Sequence, residues 1–329
     1  MKAVLLKQFG GPEVLYVGNA PKPEPGQDQV RIRVMASSVN RADLHQREGN
    51  YPPPPGESDI LGLEASGVID AVGPGVEGWQ TGDRVMSLLA GGGYAEYALA
   101  YAGHLLPVPD NLDFDSAACV CETYMTAFLN VFLIGELKDG QAVMLHGGGG
   151  GVNTAGIQLC RTLVPASKIA VTASAGKVER VRQLGADWVI DYQNEDFAER
   201  IGTFTADRGV DVILDHIGAA YLEKNLKSLA IGGRLVIIGL LGGAQAELNL
   251  GAMMVKRQRI IGSVIRARPV AEKADITAAF RDRVLPRLAD GTIVPLIDSV
   301  FPMQEAAEAH RTMAESRHFG KIVIRIGDV

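Results

Sequence analysis

The sequence predicts two domains of different class: a twisted, barrel-like β domain and a doubly wound, parallel α/β domain. Three observations point there. Over the first ~120 residues, short apolar runs at 2–7, 30–36, 65–72, 84–88 and 94–99 are broken by Gly and Pro at close intervals, the pattern of short strands joined by turns. Beyond about residue 122, strand-like runs alternate with helical patterns: 142–145 then 152–163, 168–172 then 177–184, 210–215 then 220–230, and 234–238. That alternation predicts parallel strands joined by crossover helices. Finally, the first of these strands runs straight into five consecutive glycines, Gly147 to Gly151, which open the following helix.

The remaining elements follow in order. Consecutive prolines make loops of 21–26 and 51–56, because Pro fits neither helix nor sheet interiors. A helix is expected near 271–289, a strand at 296–301, a helix at 304–314 and a last strand at 321–326. The predicted boundaries give one domain over 1–122 and 266–329 and a second, inserted domain over 123–265.

Composition narrows the function. The chain has 329 residues, 47% hydrophobic and 21% charged, the balance of a folded protein rather than a disordered one. A net charge of −6 has the wrong sign for a main partner that is nucleic acid. The short basic run Lys256-Arg257-Gln258-Arg259 reads as solvated surface. No uninterrupted apolar stretch reaches the roughly 18 residues of a membrane helix, and residues 1–6 read as a strand rather than a signal peptide. Three cysteines, Cys119, Cys121 and Cys160, are too few and odd for a disulfide framework and point to a reducing cytoplasm.

The glycine run carries the chemistry. Glycines let the backbone approach a pyrophosphate closely, and free N–H groups at a helix start, aided by the helix dipole, attract the anion. Gly148, Gly150, Gly151 and Val152 are the expected contacts. The last glycine of the dinucleotide fingerprint is replaced by Asn153, whose polar side chain is expected to push the first helical turn slightly outward. At the end of the second strand an NAD site usually offers an Asp or Glu to the ribose 2′-hydroxyl. Here the segment is Thr172-Ala173-Ser174-Ala175-Gly176-Lys177, without a carboxylate. A serine hydroxyl and a lysine favour a 2′-phosphate, with Tyr192 adding a second hydroxyl, so the cofactor expected is NADPH.

Further motifs carry a resemblance. Asn40-Arg41-Ala42-Asp43 followed by Arg47-Glu48-Gly49-Asn50-Tyr51-Pro52, then Leu61-Gly62-Leu63-Glu64-Ala65-Ser66-Gly67, resemble the signature and the G-x-E-x-x-G core of the quinone oxidoreductases. Gly82-Asp83-Arg84-Val85, Gly91 to Tyr97, Thr126-Ala127, Leu184-Gly185-Ala186, Asp215 to Gly218 and Gly320 to Val323 match in order across nearly the whole chain. The likeness is to zinc-independent members of the medium-chain dehydrogenase/reductase superfamily, nearest the quinone oxidoreductase induced by the p53 tumour suppressor and its bacterial relatives. It implies a chaperonin-10-like β-barrel catalytic domain interrupted by a Rossmann domain. The superfamily also holds zinc alcohol dehydrogenases, whose catalytic zinc needs a Cys, a His in a Gly-His-Glu core and a later Cys or Asp. This chain has Asn40 and Leu63 in the first two places, and too few cysteines for a structural zinc, so no metal is expected. Cys119 and Cys121 read as small buried side chains.

Without a metal to polarise an alkoxide, alcohol oxidation is poorly served. Hydride delivery to a quinone or enone needs mainly orientation. The resemblance places Asn40, Tyr51 and Thr126 around the nicotinamide end and the backbone of Gly239 and Leu240 against its carboxamide. Asn40 and Tyr51 are the candidates for catalysis. Tyr51 would steer the acceptor or donate a hydrogen bond, the alternative being a loop tyrosine packed on its neighbouring prolines. The six histidines form no triad and no metal-spaced pair. Two other readings stay open: a reductase of enones, alkenals or enoyl thioesters, and a non-catalytic NADPH-binding structural or regulatory protein. The apolar run 235–241 with the following 242–250 reads as a last strand with an exposed edge. The resemblance makes that edge the seam of a homodimer.

Overall fold

The computed structural model describes residues 1–327. The chain divides into two units, Met1–Met125 with Ile265–Val329, and Thr126–Val264. Strands β1 (Lys2–Leu6), β2 (Leu15–Asn19), β3 (Gln29–Val39), β4 (Glu64–Val72), β5 (Arg84–Leu88), β6 (Tyr97–Tyr101) and β7 (Leu105–Pro107) lie in the first unit. The second holds β8 (Ala142–His146), β9 (Lys168–Ala173), β10 (Trp188–Asp191), β11 (Val210–Asp215), β12 (Leu229–Ile237) and β13 (Arg259–Gly262). β14 (Ile297–Pro302) and β15 (Lys321–Arg325) return to the first.

The first unit is organised around β3. One edge of this long strand pairs with β4. The other is shared, β6 running along Gln29 to Arg33 and β15 along Ala36 to Val39. The sequence of β3 explains both halves. Val30, Ile32 and Val34 alternate into a core with Ile69, Val85 and Leu105, as one buried sheet face requires. From Ala36 onward every residue is buried, and the hydroxyls of Ser37 and Ser38 are satisfied by Glu64 O at 2.6 Å and Glu64 Oε1 at 2.5 Å. A short helix, Arg41–Arg47, follows at once. Asp43, at its third position, accepts from the Asn40 N–H at 2.7 Å, half of a capping box.

The single helix expected near 271–289 is two, Val270–Arg283 and Leu285–Ala289. Pro286 has no N–H to continue the ladder, and its ring crowds the preceding turn.

The second unit is a six-stranded sheet in the order β10-β9-β8-β11-β12-β13, with every pair parallel. This is the doubly wound order, reversing direction between β8 and β11. All five residues of β8 are buried, which is why its sequence is a continuous apolar run rather than an alternating one. The expected edge is corrected here. β12 is an interior strand, because β13 pairs along it from Arg234↔Arg259 to Ile237↔Gly262. The sheet therefore ends on β13, and the residues after β12 form turns and then the helix Leu250–Val255. β13 escaped notice because it follows the basic run, which is not simply solvated. Lys256 Nζ donates to Lys227 O and Leu229 O, both at 3.0 Å, and buried Gln258 donates to Leu226 O at 2.8 Å. The run thus satisfies carbonyls at the end of helix Leu222–Ser228.

A helical stretch, Phe114–Ile134, is long and apolar enough to cross a membrane by length and composition, and 83% of its most apolar window is buried inside the protein. Most of its apolar side chains are thus covered by protein, Leu133 being exposed. Cys119 and Cys121 lie on it, free and buried, as is Cys160.

Candidate active site

The glycine turn of the second unit is built from β8 outward. Gly147 has φ +80°, a conformation only glycine adopts without strain. Its N–H and that of Gly148 both donate to Thr172 O, at 3.0 and 2.8 Å. A Cβ on Gly148 would approach Val171 Cγ1 to 2.5 Å and Val181 Cγ2 to 2.9 Å, so the turn lies directly on β9 and the next helix. Helix Gly151–Leu163 starts at a Gly150 N-cap with no side-chain cap. The N–H groups of Gly151 and Val152 therefore have no intrahelical acceptor, and an anion suits them.

Behind the turn runs a buried relay whose hydrogens can be assigned. Asn225 Nδ2 donates to Asp215 Oδ2 at 3.2 Å, so its Oδ1 accepts from His146 Nε2 at 2.7 Å. His146 Nδ1 is then the acceptor for the Thr172 hydroxyl at 3.1 Å, and that oxygen accepts from the Gly147 N–H at 3.1 Å. Burial, only partly offset by the Asn225 bond, holds His146 down to about 3 and thus neutral. Asn153 is also taken inside. Its Nδ2 donates to His146 O and, at 2.9 Å, to Gly147 O. The outward push expected from its side chain is therefore not its role: the amide clasps the turn to the helix.

Ser174 follows β9 directly, and Lys177 ends the short turn Ala175–Lys177. Tyr192 joins them through its N–H on Ala173 O at 3.3 Å, because β10 pairs with β9 up to Asp191↔Ala173. Lys177 Cε and Nζ both come within 3.2 Å of where a Gly149 Cβ would sit. One sheet end thus gathers a lysine, a serine, a tyrosine and the glycine turn, with no carboxylate supplied by the β9 end. Gly239 lies beyond β12 against His216, whose backbone oxygen would be 3.1 Å from its Cβ, and Leu240 is exposed. Thr126, on helix Cys121–Phe128, is buried with an unpartnered Oγ1.

In the first unit Asn40 and Tyr51 belong to a larger polar cluster. Asn40 Oδ1 accepts from Lys321 Nζ at 2.6 Å, and its Nδ2 donates to Glu64 Oε1 at 3.1 Å. The same Lys321 ammonium lies 2.9 Å from Glu64 Oε1, both side chains fully buried. Glu64 Oε2 accepts the Glu122 N–H at 2.8 Å. Tyr51, half-buried, has the Arg266 guanidinium 5.1 Å from its ring centroid, a cation–π distance. It therefore meets an arginine rather than only its neighbouring prolines. Arg266 also donates to Gln46 Oε1 at 2.7 Å, Ala90 O at 2.8 Å and Tyr51 O at 3.3 Å.

A second relay enters from Arg47. A guanidinium only donates, so His310 Nδ1 accepts at 3.2 Å, its Nε2–H donates to Tyr94 Oη at 3.2 Å, and Tyr94 donates to Asp43 at 3.3 Å. Burial, with Arg47 adding to it, holds His310 down to about 3. Burial raises Asp43 to about 6 against the backbone donors Asn40 and Gly62.

Zinc does not fit this cluster. Asn40 and Glu64 already share an ammonium, Leu63 offers no donor, and among the described residues no three His, Cys, Asp or Glu side chains group around a point.

Known proteins agree with this architecture. Residues 26–110 match the alcohol dehydrogenase GroES-like domain and residues 184–324 match the zinc-binding dehydrogenase family. Human quinone oxidoreductase is 33% identical over 98% of this chain and 97% of its own length. The chain belongs to the quinone oxidoreductase family of the medium-chain dehydrogenase/reductases. Among solved structures, an NAD-dependent alcohol dehydrogenase is 33% identical with a TM-score of 0.87, covering 99% of this chain and all of that one. The Escherichia coli quinone oxidoreductase complexed with NADPH is 25% identical with a TM-score of 0.89, over 99% of this chain and 100% of that one. The CurK enoyl reductase is 25% identical with a TM-score of 0.86, over 99% of each chain. This quinone oxidoreductase family member is accordingly an oxidoreductase with a Rossmann-type domain for a nicotinamide cofactor. Among the described residues the zinc of the matched family's description finds no donor set.

The cluster and relays of this family member include residues that sequence reading did not single out: Thr172, Asn225, Glu122, Arg266 and Gln46. No motif marks them, since each acts from a separate element brought together by folding. Asn153 supplies a test. Asn153→Ala removes the side-chain donor to His146 O and Gly147 O, of which Gly147 O keeps another donor, the Gly150 N–H at 3.1 Å. It should cost about 1–3 kcal/mol of unfolding free energy, while weakening binding of the nicotinamide cofactor as the turn relaxes. Denaturant unfolding and fluorescence titration measure both; wild-type values in each would show that the clasp does nothing.

Proposed function

We propose that the chain is an NADPH-dependent, zinc-independent reductase that transfers hydride to quinones. The observation carrying the cofactor choice is the carboxylate-free end of β9, where Ser174, Lys177 and Tyr192 gather. An Asp or Glu there would repel a 2′-phosphate, whereas an ammonium and two hydroxyls bind it. In this reading Gly148, Gly150, Gly151 and Val152 hold the pyrophosphate, and Gly239 and Leu240 meet the carboxamide with their backbone. Asn40, Tyr51 and Thr126 serve the nicotinamide end. The bound cofactor supplies a hydride. Tyr51 orients the acceptor, and Asn40, held by Lys321 and Glu64, fixes the start of helix Arg41–Arg47.

The quinone assignment is supported by the full-length likeness to human quinone oxidoreductase. Likeness to the CurK enoyl reductase supports a second reading, reduction of an enone or enoyl thioester by the same hydride geometry. An NADPH-oxidation screen across the three acceptor classes separates them. Buried, free cysteines support a cytoplasmic setting.

The cofactor reading is tested by Lys177→Ala. A charge-assisted hydrogen bond contributes roughly 1.5–3 kcal/mol, so NADPH should weaken on the order of ten- to a hundredfold while NADH is unchanged. Ser174→Asp should move preference further toward NADH. The readout is the ratio of kcat/KM for the two cofactors; a ratio unaltered in Lys177→Ala returns that lysine to an ordinary helix-start role.

A homodimer through the edge of β13 is part of the same proposal. An unpaired edge strand invites another strand, and exposed Leu241, Leu250, Met254 and Val255 lie in the segment before it. Sedimentation at micromolar concentration should give twice the 35.0 kDa chain mass. A monomer mass there would rule the dimer out.

A further inference from the structure

Reducing a quinone takes a hydride and then a proton, and none of the roles above delivers that proton. The first unit holds a group placed for it. Glu122 is the second residue of helix Cys121–Phe128, and its backbone N–H is fixed on Glu64 Oε2 at 2.8 Å. The residue is half-buried, but its Oε2 is shut off from solvent without any hydrogen-bond partner. An ionised carboxylate in that state would carry an unsatisfied buried charge, which proteins avoid. Glu122 also lies near enough to Tyr51 and Arg266 for its charge to act on both.

We propose that Glu122 is the acid that protonates the reduced acceptor. The inference rests on the reductase reading above. The hydride, two electrons with one proton, converts a quinone to the hydroquinone monoanion. The O–H bond of Glu122 then breaks, its proton bonds to the anionic oxygen, and the neutral hydroquinone leaves. Glu122 remains as a carboxylate and regains a proton from water. Tyr51 holds the acceptor while Arg266, whose guanidinium lies over the Tyr51 ring, favours the negative charge that develops.

The protonation state supports this. Burial first, and then the negative charge of Glu64, raise Glu122 to about 8; Asp43 adds to the rise, and Lys321 and Arg266 oppose it. The groups facing it are Glu64 on β4, Lys321 on β15, Asp43 on helix Arg41–Arg47, Tyr51 and Arg266 in loops, Cys121 on its own helix and Lys273 on helix Val270–Arg283. Of the carboxyl groups here Glu122 has no cation at bonding distance, whereas Glu64 has Lys321. At neutral pH Glu122 thus keeps its proton, and the acid form is lost as pH rises through about 8.

The test compares wild type with Glu122→Gln, which keeps the shape and the backbone bond to Glu64 but cannot release a carboxyl proton. Wild type should lose kcat for a benzoquinone as pH rises through about 8; Glu122→Gln should lower that kcat by about 100-fold or more, leave the NADPH dissociation constant unchanged, and lack this alkaline fall. Infrared difference spectra of wild type should show a carboxylic-acid carbonyl band that titrates near pH 8 and is missing in Glu122→Gln. A Glu122→Gln enzyme with wild-type kcat and an unchanged alkaline limb overturns the proposal. So does a wild-type Glu122 band already ionised below pH 6, a result that stands even if the variant folds poorly. Absence of turnover with every quinone and enone, with the band still titrating near pH 8, would overturn the reductase reading and this role with it, while leaving a buried, protonated carboxyl in place.

Discussion

The polar cluster of the first unit depends on one buried cation, the ammonium of Lys321. It sits on β15, next to β3, and meets Glu64 Oε1 at 2.9 Å, Asn40 Oδ1 at 2.6 Å and Val39 O at 3.2 Å. Two buried charges are expensive to desolvate, and their attraction offsets that cost only when further hydrogen bonds satisfy the remaining atoms. Here they do. Ser38 and Asn40 donate to Glu64 Oε1, and the Glu122 N–H donates to its Oε2. Remove the ammonium and Glu64 becomes an unpaired buried carboxylate, Asn40 loses the donor that fixes its amide, and the start of the Glu122 helix is held by a group no longer neutralised. The lysine supplies the positive charge that these oxygen atoms need.

Both units use the same device to fix a buried polar group. A neutral buried histidine has one donor and one acceptor nitrogen, so it can join a charge-bearing end to a distant group in only one direction. In the second unit the chain from Asp215 through Asn225, His146 and Thr172 ends on the Gly147 N–H; in the first, the chain from Arg47 through His310 and Tyr94 ends on Asp43. Burial keeps both rings neutral across the physiological range. These histidines therefore fix direction and contribute no pH response there, a role that agrees with the absence of any histidine motif in the sequence.

Much of the fold was legible because it depends on local periodicity. The continuous apolar run of β8, the alternation of Val30, Ile32 and Val34, and the five glycines before a helix each state their environment directly. What was illegible depends on partners distant in sequence. Glu122 and Arg266 are ordinary charged residues until folding buries them near Tyr51. Asn153 looked like a defect in a glycine fingerprint because its acceptors, the carbonyls of His146 and Gly147, are visible only in three dimensions. β13 was hidden by the polar run before it, in which the side chains of Lys256 and Gln258 turn inward to meet carbonyls at a helix end. The sheet edge was consequently placed one strand too early.

The direct test of this account is a double-mutant cycle on the buried pair, using Lys321→Met, Glu64→Gln and the double variant, with unfolding free energies from denaturant titration. Lys321→Met alone should cost about 3–5 kcal/mol, because it strands a buried charge. The double variant should cost clearly less than the sum of the single ones, with a coupling energy of about 2 kcal/mol or more. Additivity within about 0.5 kcal/mol would mean that Lys321 and Glu64 act independently, and the cluster would then not be built around that ammonium.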